Sequence, residues 1–458
     1  MRRSTSVRAA EHPISARRQP EHVRTSAQQP PATVPSADWH LGIRTAAGDP
    51  VSSPRLHGVR LLCVGGEDHQ LRVPFLLALR RAGLSVAAAG TADPAPFAAA
   101  GIDYWPIHFK RYVNPLNDWD AIRELRGLLQ QTRPHIVQSF DTKPNVLVPW
   151  AARELSGIRI VRTINGLGWT YSSHSPLALA LRPVQRALHR YAMSSSAAII
   201  FQNRRDKQYF EHAGLVRPHQ AVLIPGSGID IAQFDRAISE GRTAPQLRHA
   251  LGLAHCEVVI TVTRLTRQKG IPTLLEAAAR VHQVRPTARF LLVGPRESEG
   301  VLAVSAARID RHAGYVTATG PRTDVAALLR MADVFVFPTE YREGVPRALL
   351  EAAIAGLPLV ATRMPGCEDV VRDRWNGRLV APRASRELAE AILDVLSDRP
   401  AAHAMGARAS EFVRAHFGLT LTVERYCDVY RTVLAERTRP VTSVADRTSG
   451  GAHESITP

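Results

Sequence analysis

The sequence of 458 residues is poor in cysteine, in aromatic residues and in long apolar runs. No apolar segment approaches the ~20 residues that a membrane-spanning helix needs. Its four cysteines lack the paired spacing of a zinc or redox motif, so the sequence predicts free, buried thiols in a reducing compartment. Only 6% of the residues are aromatic and the arginines are dispersed, so the net charge of +17 does not indicate a nucleic-acid recognition module.

Lysine is also scarce, because only four of the 58 basic residues are lysines. A solvated surface charge tolerates arginine, so a lysine in this background indicates a specific role. Lys269 lies five residues after Arg264, in a predicted loop between a strand at 257–263 and a helix at 272–281. An arginine can hold an anion through two hydrogen bonds and a lysine adds a point charge, so the pair favours a diphosphate site. The alternative is a solvated basic loop.

Two glutamates eight positions apart follow a second apolar run, Val334–Phe337, which predicts a buried parallel strand. Pro338 ends that strand, and Pro346 suits the first position of a helix. Glu343 then lies in the loop and Glu351 about two helical turns further on, so both can line one wall of a cleft and bind a polyol. The alternative is that Glu343 favours the helix dipole and Glu351 lies on a solvated face.

Further motifs accompany these residues between positions 264 and 362. They are Leu291–Gly294, Gly320–Asp324 and Gly356–Thr362. In order and spacing the motifs resemble the donor domain of retaining family-4 glycosyltransferases with the GT-B architecture. The resemblance implies an α/β fold of two Rossmann-like, doubly wound parallel-sheet domains with a cleft between them. It also implies a nucleotide-sugar donor.

The resemblance assigns roles to the residues already described. The counterpart of Glu351 holds the nucleotide ribose, and that of Glu343 faces the donor sugar. Arg264 and Lys269 hold the diphosphate, where fixed cations stabilise the charge that develops on the leaving group. Catalytic roles are thus implied for Glu343, Arg264 and Lys269. The implied donor-binding residues are Glu351, Gly344, Val345, Arg264, Lys269, Gly294 and Arg322.

Motifs in the first half of the chain narrow the resemblance. They are Arg111–Asp118, Asp141–Asn145, Thr163–Gly168, Phe201–Asn203 and Pro225–Asp230. They are similar to the branch that extends undecaprenyl-diphosphate-linked oligosaccharides for O-antigen, capsule or N-glycan assembly, often from UDP-N-acetylhexosamines. Many family members carry histidine where this chain has Asn165, so a general base is not expected there. The implied mechanism is attack on the face that the diphosphate leaves, with the departing phosphate taking the acceptor's proton.

Polar residues follow two predicted strands in this first half. Asp141 and Lys143 follow the strand Ile136–Phe140 at its carboxyl end, which favours a cleft position. Alternatively, Asp141 satisfies loop amides and Lys143 pairs with it. Asp68 and His69 follow the first strand, where His69 either orients an acceptor or phosphate or is a structural histidine. The predicted acceptor or cleft residues are Asp68, His69, Asp141, Lys143, Asn165, Gly226 and Ser227.

No metal ion and no cofactor are expected. Asp118-Trp119-Asp120 has the form of the metal-binding Asp-x-Asp motif of the other glycosyltransferase architecture. It lies before a predicted helix, where aspartate is a favoured N-cap. The sequence therefore predicts a capping role for this motif.

The alternation of apolar runs with helical segments predicts two doubly wound domains, at 56–234 and 248–415. Residues 235–247 are predicted as a linker, and 416–436 as a helix that returns to the first domain. Residues 1–55 are rich in Arg, Ala, Ser and Pro and are expected to be a disordered basic tail, with a second tail at 437–458. Arg2 and Arg3 are not followed by the apolar stretch of an export signal.

The predicted first domain is the most basic folded part, with 20 basic and 12 acidic side chains. Such a surface favours an anionic membrane or a polyprenyl-diphosphate-linked saccharide acceptor as partner. Between 177 and 191, an apolar helical face can lie beside basic residues. The apolar set is Leu177, Leu181, Val184, Leu188 and Tyr191, and the basic set is Arg182, Arg186, His189 and Arg190. The alternative is an amphipathic helix packed on the sheet. We expect a cytoplasmic protein, peripheral on the inner face of the cell membrane.

Together, these features favour a retaining, metal-independent hexosyl- or N-acetylhexosaminyltransferase that acts on a lipid-linked saccharide in surface polysaccharide assembly, as for lipopolysaccharide or capsule. Two alternatives remain open. A sugar-nucleotide epimerase or phosphorylase would keep the architecture and change the reaction, although the glutamate pair disfavours it. A basic nucleic-acid-binding protein is disfavoured by the low aromatic content.

Overall fold

The computed structural model describes residues 56–109, 115–173 and 175–436. The predicted tails at 1–55 and 437–458, and the Arg111–Asn114 part of the first-domain motif, lie outside the described residues. No helix in these described ranges is long and apolar enough to cross a membrane. All four cysteines are free; three are buried as predicted, but Cys256 is partly exposed.

Seven short strands form the sheet of the first lobe. They are β1 (Arg60–Gly65), β2 (Ser85–Gly90), β3 (Tyr104–Pro106), β4 (Ile136–Phe140), β5 (Arg159–Ile164), β6 (Ala198–Phe201) and β7 (Ala221–Leu223). All pairs are parallel, in the order β3-β2-β1-β4-β5-β6-β7. All five residues of β4 are buried, as expected for a parallel strand whose two faces are both covered by helices.

The helices of the first lobe connect these strands. They are α1 (Val73–Arg81), α2 (Ala95–Ala99), α3 (Pro115–Thr132), α4 (Pro144–Ala151), α5 (Gly168–Ser172), α6 (Pro176–Ser194) and α7 (Arg204–His212), with 3-10 turns at His69–Arg72 and Pro218–Gln220.

The second lobe repeats this plan with six parallel strands. Its elements are α8 (Ile231–Glu240), α9 (Ala244–Ala250), β8 (Glu257–Val262), α10 (Ile271–Val284), β9 (Ala288–Val293), α11 (Ala306–Asp310), β10 (Val316–Gly320), α12 (Val325–Met331), β11 (Val334–Phe337), α13 (Arg347–Ile354), β12 (Leu359–Thr362), β13 (Gly377–Val380), α14 (Ser385–Ser397) and α15 (Arg399–His416), with a 3-10 segment at Glu297–Leu302. The strand order is β10-β9-β8-β11-β12-β13. Two doubly wound parallel sheets make up the described chain, as the fold class predicts.

The elements that carry the candidate site lie close to their predicted positions. β8 ends one residue before the predicted strand end, and β11 coincides with Val334–Phe337. α13 begins at Arg347 with Pro346 as its N-cap, so the proline precedes the first helical position and does not occupy it. The segment 235–247, predicted as a linker, contains the end of α8, a short turn and the start of α9, and both helices pack against α12.

The last helix, α16 (Leu419–Ala435), packs against the first lobe after the second lobe is complete. Tyr426 and Tyr430 on this helix are at most 1% exposed and belong to the apolar core of the first lobe. Their hydroxyls lie 3.1 Å from Thr163 Oγ1 and 3.2 Å from Gln138 Oε1, respectively. These hydrogen bonds attach the C-terminal helix to β4 and β5.

Candidate active site

The predicted site residues follow four strands, two in each lobe. Strand order reverses between β1 and β4 in the first sheet and between β8 and β11 in the second. At such a reversal the connections after the two strands leave on opposite faces, which opens a crevice at their carboxyl ends. Asp68 and Asp141 follow β1 and β4, and Lys269 and Glu343 follow β8 and β11.

Lys269 and Glu343 form a buried ion pair, which the sequence did not predict. Lys269 Nζ lies 2.7 Å from Glu343 Oε2, and Thr339 Oγ1 donates to Glu343 Oε1 over 2.9 Å. The lysine is 8% exposed. Its ammonium also lies 5.6 Å and 5.8 Å from the ring centroids of Phe337 and Tyr341, where aromatic faces attract a cation. The cation and the carboxylate expected at the donor site are therefore adjacent and fixed in position.

Gly270 explains how the two loops come so close. Its φ of 70° lies in the left-handed region, and it precedes the first turn of α10. A Cβ atom at this position would lie 1.8 Å from the carbonyl oxygen of Pro338. Only glycine lets the loop after β8 lie against the loop after β11 in this way. Lys269, the preceding residue, is consequently held beside Glu343.

The other predicted donor cations have carboxylate partners in their own lobe. Arg264 Nη1 lies 3.1 Å from Glu299 Oε2, in the 3-10 segment after β9. Arg322 donates two hydrogen bonds to Asp324, over 2.8 Å and 2.6 Å. Gly294 follows β9, and its amide donates to the carbonyl oxygen of Gly320 over 3.0 Å. Arg264 lies near the start of the loop that carries Lys269, whereas Arg322 lies after β10, the edge strand two positions away from β8.

Glu351 lies in the second turn of α13, as predicted, and its side chain is 16% exposed. It accepts a hydrogen bond from Nε of Arg347, one turn earlier, over 2.9 Å. Arg347 is exposed at the start of this helix. Glu351 is therefore a mostly buried carboxylate whose described partner is an accessible arginine.

Asp141 is the centre of the polar cluster in the first lobe. Its φ of 68° is unusual for a residue with a side chain. Its carboxylate accepts hydrogen bonds from the Gly66 amide (2.9 Å), Arg72 Nη2 (3.0 Å) and Asn165 Nδ2 (2.8 Å). Burial would raise the pKa of Asp141, but Arg72 and the Gly66 amide outweigh burial and hold this pKa below its usual range. The carboxylate thus joins the loops after β1, β4 and β5.

Lys143 does not pair with Asp141, so this part of the alternative was wrong, although Asp141 does accept from the Gly66 amide. Its Nζ lies 2.6 Å from Asp118 Oδ1. Asp118 lies in the first turn of α3, which begins at Pro115, and so is not the N-cap of that helix as predicted. The helix begins three residues earlier because Pro115 can occupy its first turn. The first aspartate of the Asp-x-Asp sequence therefore forms an ion pair with Lys143.

His69 lies beneath the cleft and is fully buried. Its ring packs 5.4 Å from Phe97 and 6.1 Å from Phe140, and its Nε2 lies 3.2 Å from the carbonyl oxygen of Cys63. Burial, with a contribution from Arg72, lowers the pKa of His69 to about 3, so the ring is neutral and Nε2–H is the donor. These contacts favour the structural alternative for His69.

A cavity of about 160 Å³ lies between the lobes and contains part of the predicted set. Asp68 and Ser227 line it from the first lobe and Val345 from the second. Sequence reasoning missed Arg72, Arg347 and Tyr426, which also line it. Arg72 and Arg347 could have been found as cations beside predicted site loops, but Tyr426 belongs to a distant helix and has no local signal.

Residues of the first lobe also contact the second-lobe loop that carries Glu343. Asn203 Nδ2 donates to the carbonyl oxygen of Glu343 over 2.9 Å. The Gly344 amide donates to the carbonyl oxygen of Asn165 over 2.6 Å. Gly226 lies against Val345, since a Cβ on this glycine would be 3.1 Å from Cβ of the valine. Predicted residues of both lobes are therefore brought together at this loop.

Arg342 adds a charged contact between the lobes. Its Nη2 lies 2.6 Å from Asp206 Oδ1, and its amide donates to Ser172 Oγ over 2.7 Å. Asp206 is fully buried, and burial raises its pKa despite the neighbouring Arg342. Neither residue was singled out from the sequence, because their pairing depends on contact between positions 136 residues apart.

This arrangement can bind a charged, polyhydroxylated ligand. The second lobe offers a buried lysine, two arginines and two carboxylates, and the first lobe offers Arg72, Asp68 and Ser227 at the cavity wall. In the described part of the chain, no three of the side chains His, Cys, Asp and Glu are grouped so that they could hold a metal ion.

Comparison with known families matches both lobes. A family model described as "Glycosyl transferase 4-like domain" matches residues 57–226, and one described as "Glycosyl transferases group 1" matches residues 256–398. Together these two segments contain all thirteen strands of the described residues. The first segment spans β1 to β7 and the second spans β8 to β13.

Relatives and solved structures agree with this match. A Campylobacter jejuni protein named N,N'-diacetylbacillosaminyl-diphospho-undecaprenol alpha-1,3-N-acetylgalactosaminyltransferase is 24% identical over 311 residues, 68% of this chain and 80% of the relative. An Escherichia coli protein named UDP-Gal:alpha-D-GlcNAc-diphosphoundecaprenol alpha-1,3-galactosyltransferase is 26% identical over 324 residues, 70% of this chain and 81% of the relative. The crystal structure of an Anabaena protein in complex with UDP-glucose matches with a TM-score of 0.67 at 19% identity, over 82% of this chain and 99% of that chain. The structural likeness establishes the two-lobed GT-B fold.

Proposed function

This chain belongs to the group 1 glycosyltransferases, and on that premise we propose that it moves a hexosyl or N-acetylhexosaminyl group from a UDP-sugar to a saccharide carried on a lipid diphosphate, with retention of configuration. The observation that carries the proposal is the Lys269–Glu343 pair at the centre of the second sheet, held in contact with the first lobe by Asn203. Both relatives named above have undecaprenyl-diphosphate-linked sugars in their names, and one name includes UDP-galactose.

The proposed reaction depends on stabilising a leaving diphosphate. The acceptor oxygen forms a bond to the anomeric carbon while the bond from that carbon to the β-phosphate oxygen breaks. The acceptor proton passes to the departing phosphate. Lys269 and Arg264 stabilise the negative charge that grows on this group, in a site where little water remains. The proposal requires no metal ion for this step.

The two glutamates have separate proposed roles. Glu343 lies beside the sugar that is transferred, and its carboxylate and the donor diphosphate both interact with Lys269. Glu351 accepts hydrogen bonds from ribose hydroxyls. Glu351 already accepts a hydrogen bond from the exposed Arg347. Ribose binding therefore requires that Glu351 bind both Arg347 and the ribose, or that the ribose displace Arg347.

The first lobe is the proposed acceptor side. Arg72 and Ser227 at the cavity wall and the basic charge of this lobe suit an acceptor diphosphate. A lipid-linked acceptor remains in its membrane, so we propose that the protein acts as a peripheral protein on the cytoplasmic face of the cell membrane, in surface polysaccharide or glycan assembly.

The test is a donor and acceptor panel with nucleoside diphosphate release as the readout. UDP-linked glucose, galactose, GlcNAc and GalNAc would be compared with a GDP-hexose, with and without a short-chain polyprenyl-diphosphate-linked saccharide. We expect acceptor-dependent release from one UDP-sugar, and NMR of the product should give the same anomeric configuration as the donor. An isomerised donor without any acceptor would instead establish an epimerase, and an inverted product would contradict the retaining mechanism.

A further inference from the structure

Helix α6 turns its apolar side to solvent. Leu177, Leu179 and Val184 are 62%, 47% and 56% exposed, three of the seven large apolar side chains that are exposed in the described ranges. Pro176, Ala180, Pro183 and Ala187 are exposed between them. At 3.6 residues per turn these seven residues occupy one half of the helix surface. The outward half of α6 is therefore apolar over about three turns.

The opposite half of α6 faces the first lobe and carries polar residues beside the buried Ala178 and Ala192. Arg182 donates to the carbonyl oxygens of Thr170 and Ser173, each over 3.0 Å. Arg186 Nε donates to Tyr209 Oη over 3.0 Å. His189 is 2% exposed.

The partner of His189 is Arg162 on β5. Arg162 is fully buried, and its Nη2 lies 2.9 Å from His189 Nδ1. Burial lowers the pKa of His189 to about 3, so Nδ1 accepts the hydrogen bond. This contact explains the orientation of the helix, because turning the helix over would separate the buried Arg162 from the buried His189.

The predicted amphipathic helix is present, but of the predicted apolar set only Leu177 and Val184 are exposed, whereas Leu181, Leu188 and Tyr191 are half-buried. A helix that packs on a sheet places its apolar side inward. In α6 the buried residues are Ala178, His189 and Ala192, so the inward side is mixed, and most of the outward side is apolar. An apolar helix surface of this kind is stable when another apolar phase covers it.

We propose that this apolar face of α6, whose large side chains are Leu177, Leu179 and Val184, inserts into the headgroup region of an anionic bilayer. The helix has no acidic residue, and Arg190 is exposed on the same side near its C-terminal end. Two copies meeting through this face would bring together chains that each carry a net charge of +17, whereas an anionic lipid surface attracts that charge. Interfacial helices of this type bury their apolar side ~5–10 Å deep.

This inference rests on the proposed function in one respect, namely that the acceptor is lipid-linked and brings the protein to a membrane. The role of α6 would be to place the first lobe, with its acceptor cavity, against the surface in which that acceptor is embedded.

The test is co-flotation of the full chain with vesicles of phosphatidylglycerol and phosphatidylcholine. We expect the wild type to float with the vesicles and the triple variant Leu177→Gln, Leu179→Gln, Val184→Gln to bind at least ~10-fold more weakly, because each substitution removes apolar surface from the bilayer. Glutamine keeps a high helix propensity, and circular dichroism would verify folding. The matched control is Val284→Gln with Val301→Gln, which changes two exposed valines of the second lobe, 66% and 93% exposed, and should leave flotation unchanged.

Three results would overturn the inference. They are equal flotation of the triple variant and the wild type, flotation that appears only after removal of residues 1–55, and a wild-type dimer that the triple substitution converts to a monomer. The second result would indicate that residues 1–55 cover the apolar face of α6. The third would indicate that a second copy of the chain covers it. UDP release with a soluble short-chain acceptor is measured in parallel. Absence of transfer by the wild type would contradict the proposed function, whereas transfer by a wild type that does not float with vesicles would contradict only the role of α6.

Discussion

Asn203 of the first lobe donates a hydrogen bond to the carbonyl oxygen of Glu343 in the second lobe, over 2.9 Å. The same asparagine is the N-cap of α7, where its Oδ1 accepts from the Asp206 amide over 2.7 Å. The first lobe therefore fixes the backbone of the residue that is proposed to face the donor sugar. The position of Glu343 against Lys269 depends on contact between the lobes as well as on its own loop.

Replacement of Asn203 by serine should lower kcat and leave donor KM nearly unchanged. Serine retains an oxygen that can cap α7 but removes the amide that reaches Glu343. Loss of one hydrogen bond of about 1 to 1.5 kcal/mol predicts a ~5- to 13-fold lower kcat. The control is Arg205→Gln, which removes a partly exposed ion pair with Glu368 at the same boundary and should change kcat by less than ~2-fold. A rise in donor KM without a change in kcat would contradict the positioning role.

Removal of either proposed diphosphate cation should weaken UDP binding and slow transfer. A charge-assisted contact of ~1.5 to 3 kcal/mol implies about a 10- to 150-fold loss for Arg264→Ala and for Lys269→Ala. Lys269→Ala should have the larger effect because it also leaves the mostly buried Glu343 without its cation. Arg267→Ala, which changes an exposed arginine of the same loop, is the control. UDP affinity by calorimetry and steady-state kinetics are the measurements, and near-wild-type values for both variants would place the diphosphate elsewhere.

Glu351→Gln should raise donor KM, and Glu343→Gln should lower kcat. Ribose hydroxyls have the same chemistry in the ground state and the transition state, so the loss of Glu351 removes uniform binding. Contacts of Glu343 change as the glycosidic bond breaks. The assignment fails if Glu351→Gln leaves KM and UDP affinity unchanged, or if Glu343→Gln keeps kcat within about threefold, ~0.65 kcal/mol.

Transfer should continue in the presence of EDTA. The proposed mechanism gives the charge stabilisation on the leaving diphosphate to Lys269 and Arg264, which chelation does not remove. The rate would be measured before and after EDTA treatment and again after addition of Mn²⁺ or Mg²⁺. Full loss with EDTA and recovery with either ion would contradict the metal-independent mechanism.

Asp369, at the boundary between the lobes, should make the stability of the protein fall as the pH rises. Burial raises the pKa of Asp369 from 3.8 to about 6, although it accepts from the Arg204 and Gly366 amides over 3.3 Å and 3.2 Å. Between pH 4 and pH 6 the folded state keeps a proton that the unfolded state has lost, so this group's contribution to stability falls as the pH rises through that window.

Urea unfolding of wild type and Asp369→Asn from pH 4 to pH 7 provides the measurement. The variant should gain stability relative to the wild type as the pH rises, with the difference levelling above pH 6. Asp235→Asn serves as the control, because hydrogen bonds from Arg414 lower the pKa of Asp235 below 3.8 and its contribution is lost only as the pH falls below that value, so from pH 4 to pH 7 this variant should run parallel to the wild type. If the free energy of unfolding of wild type and Asp369→Asn changed in parallel with pH, the pKa of Asp369 would be the same in the folded and unfolded states, which would contradict the prediction.

The sequence alone determined which loops carry the candidate site. Apolar runs that become β4, β8 and β11 can be identified because parallel strands buried on both faces are continuously apolar, and the polar residues after them must then lie at the carboxyl edge of the sheet. Arg264, Lys269 and Glu343 were found in this way. Glycine and proline positions gave the boundaries of the loops to within one or two residues.

Only the tertiary structure decided which of these groups meet and which way they face. Lys269 pairs with a glutamate 74 positions later, Lys143 pairs with Asp118 and not with Asp141, and Tyr426 reaches the cavity from the last helix. Periodicity predicted an amphipathic α6, but a helical period does not state which side meets the protein. The contact between His189 and Arg162 decides it, because a polar side chain taken out of water needs a partner, and the partner of His189 lies on strand β5.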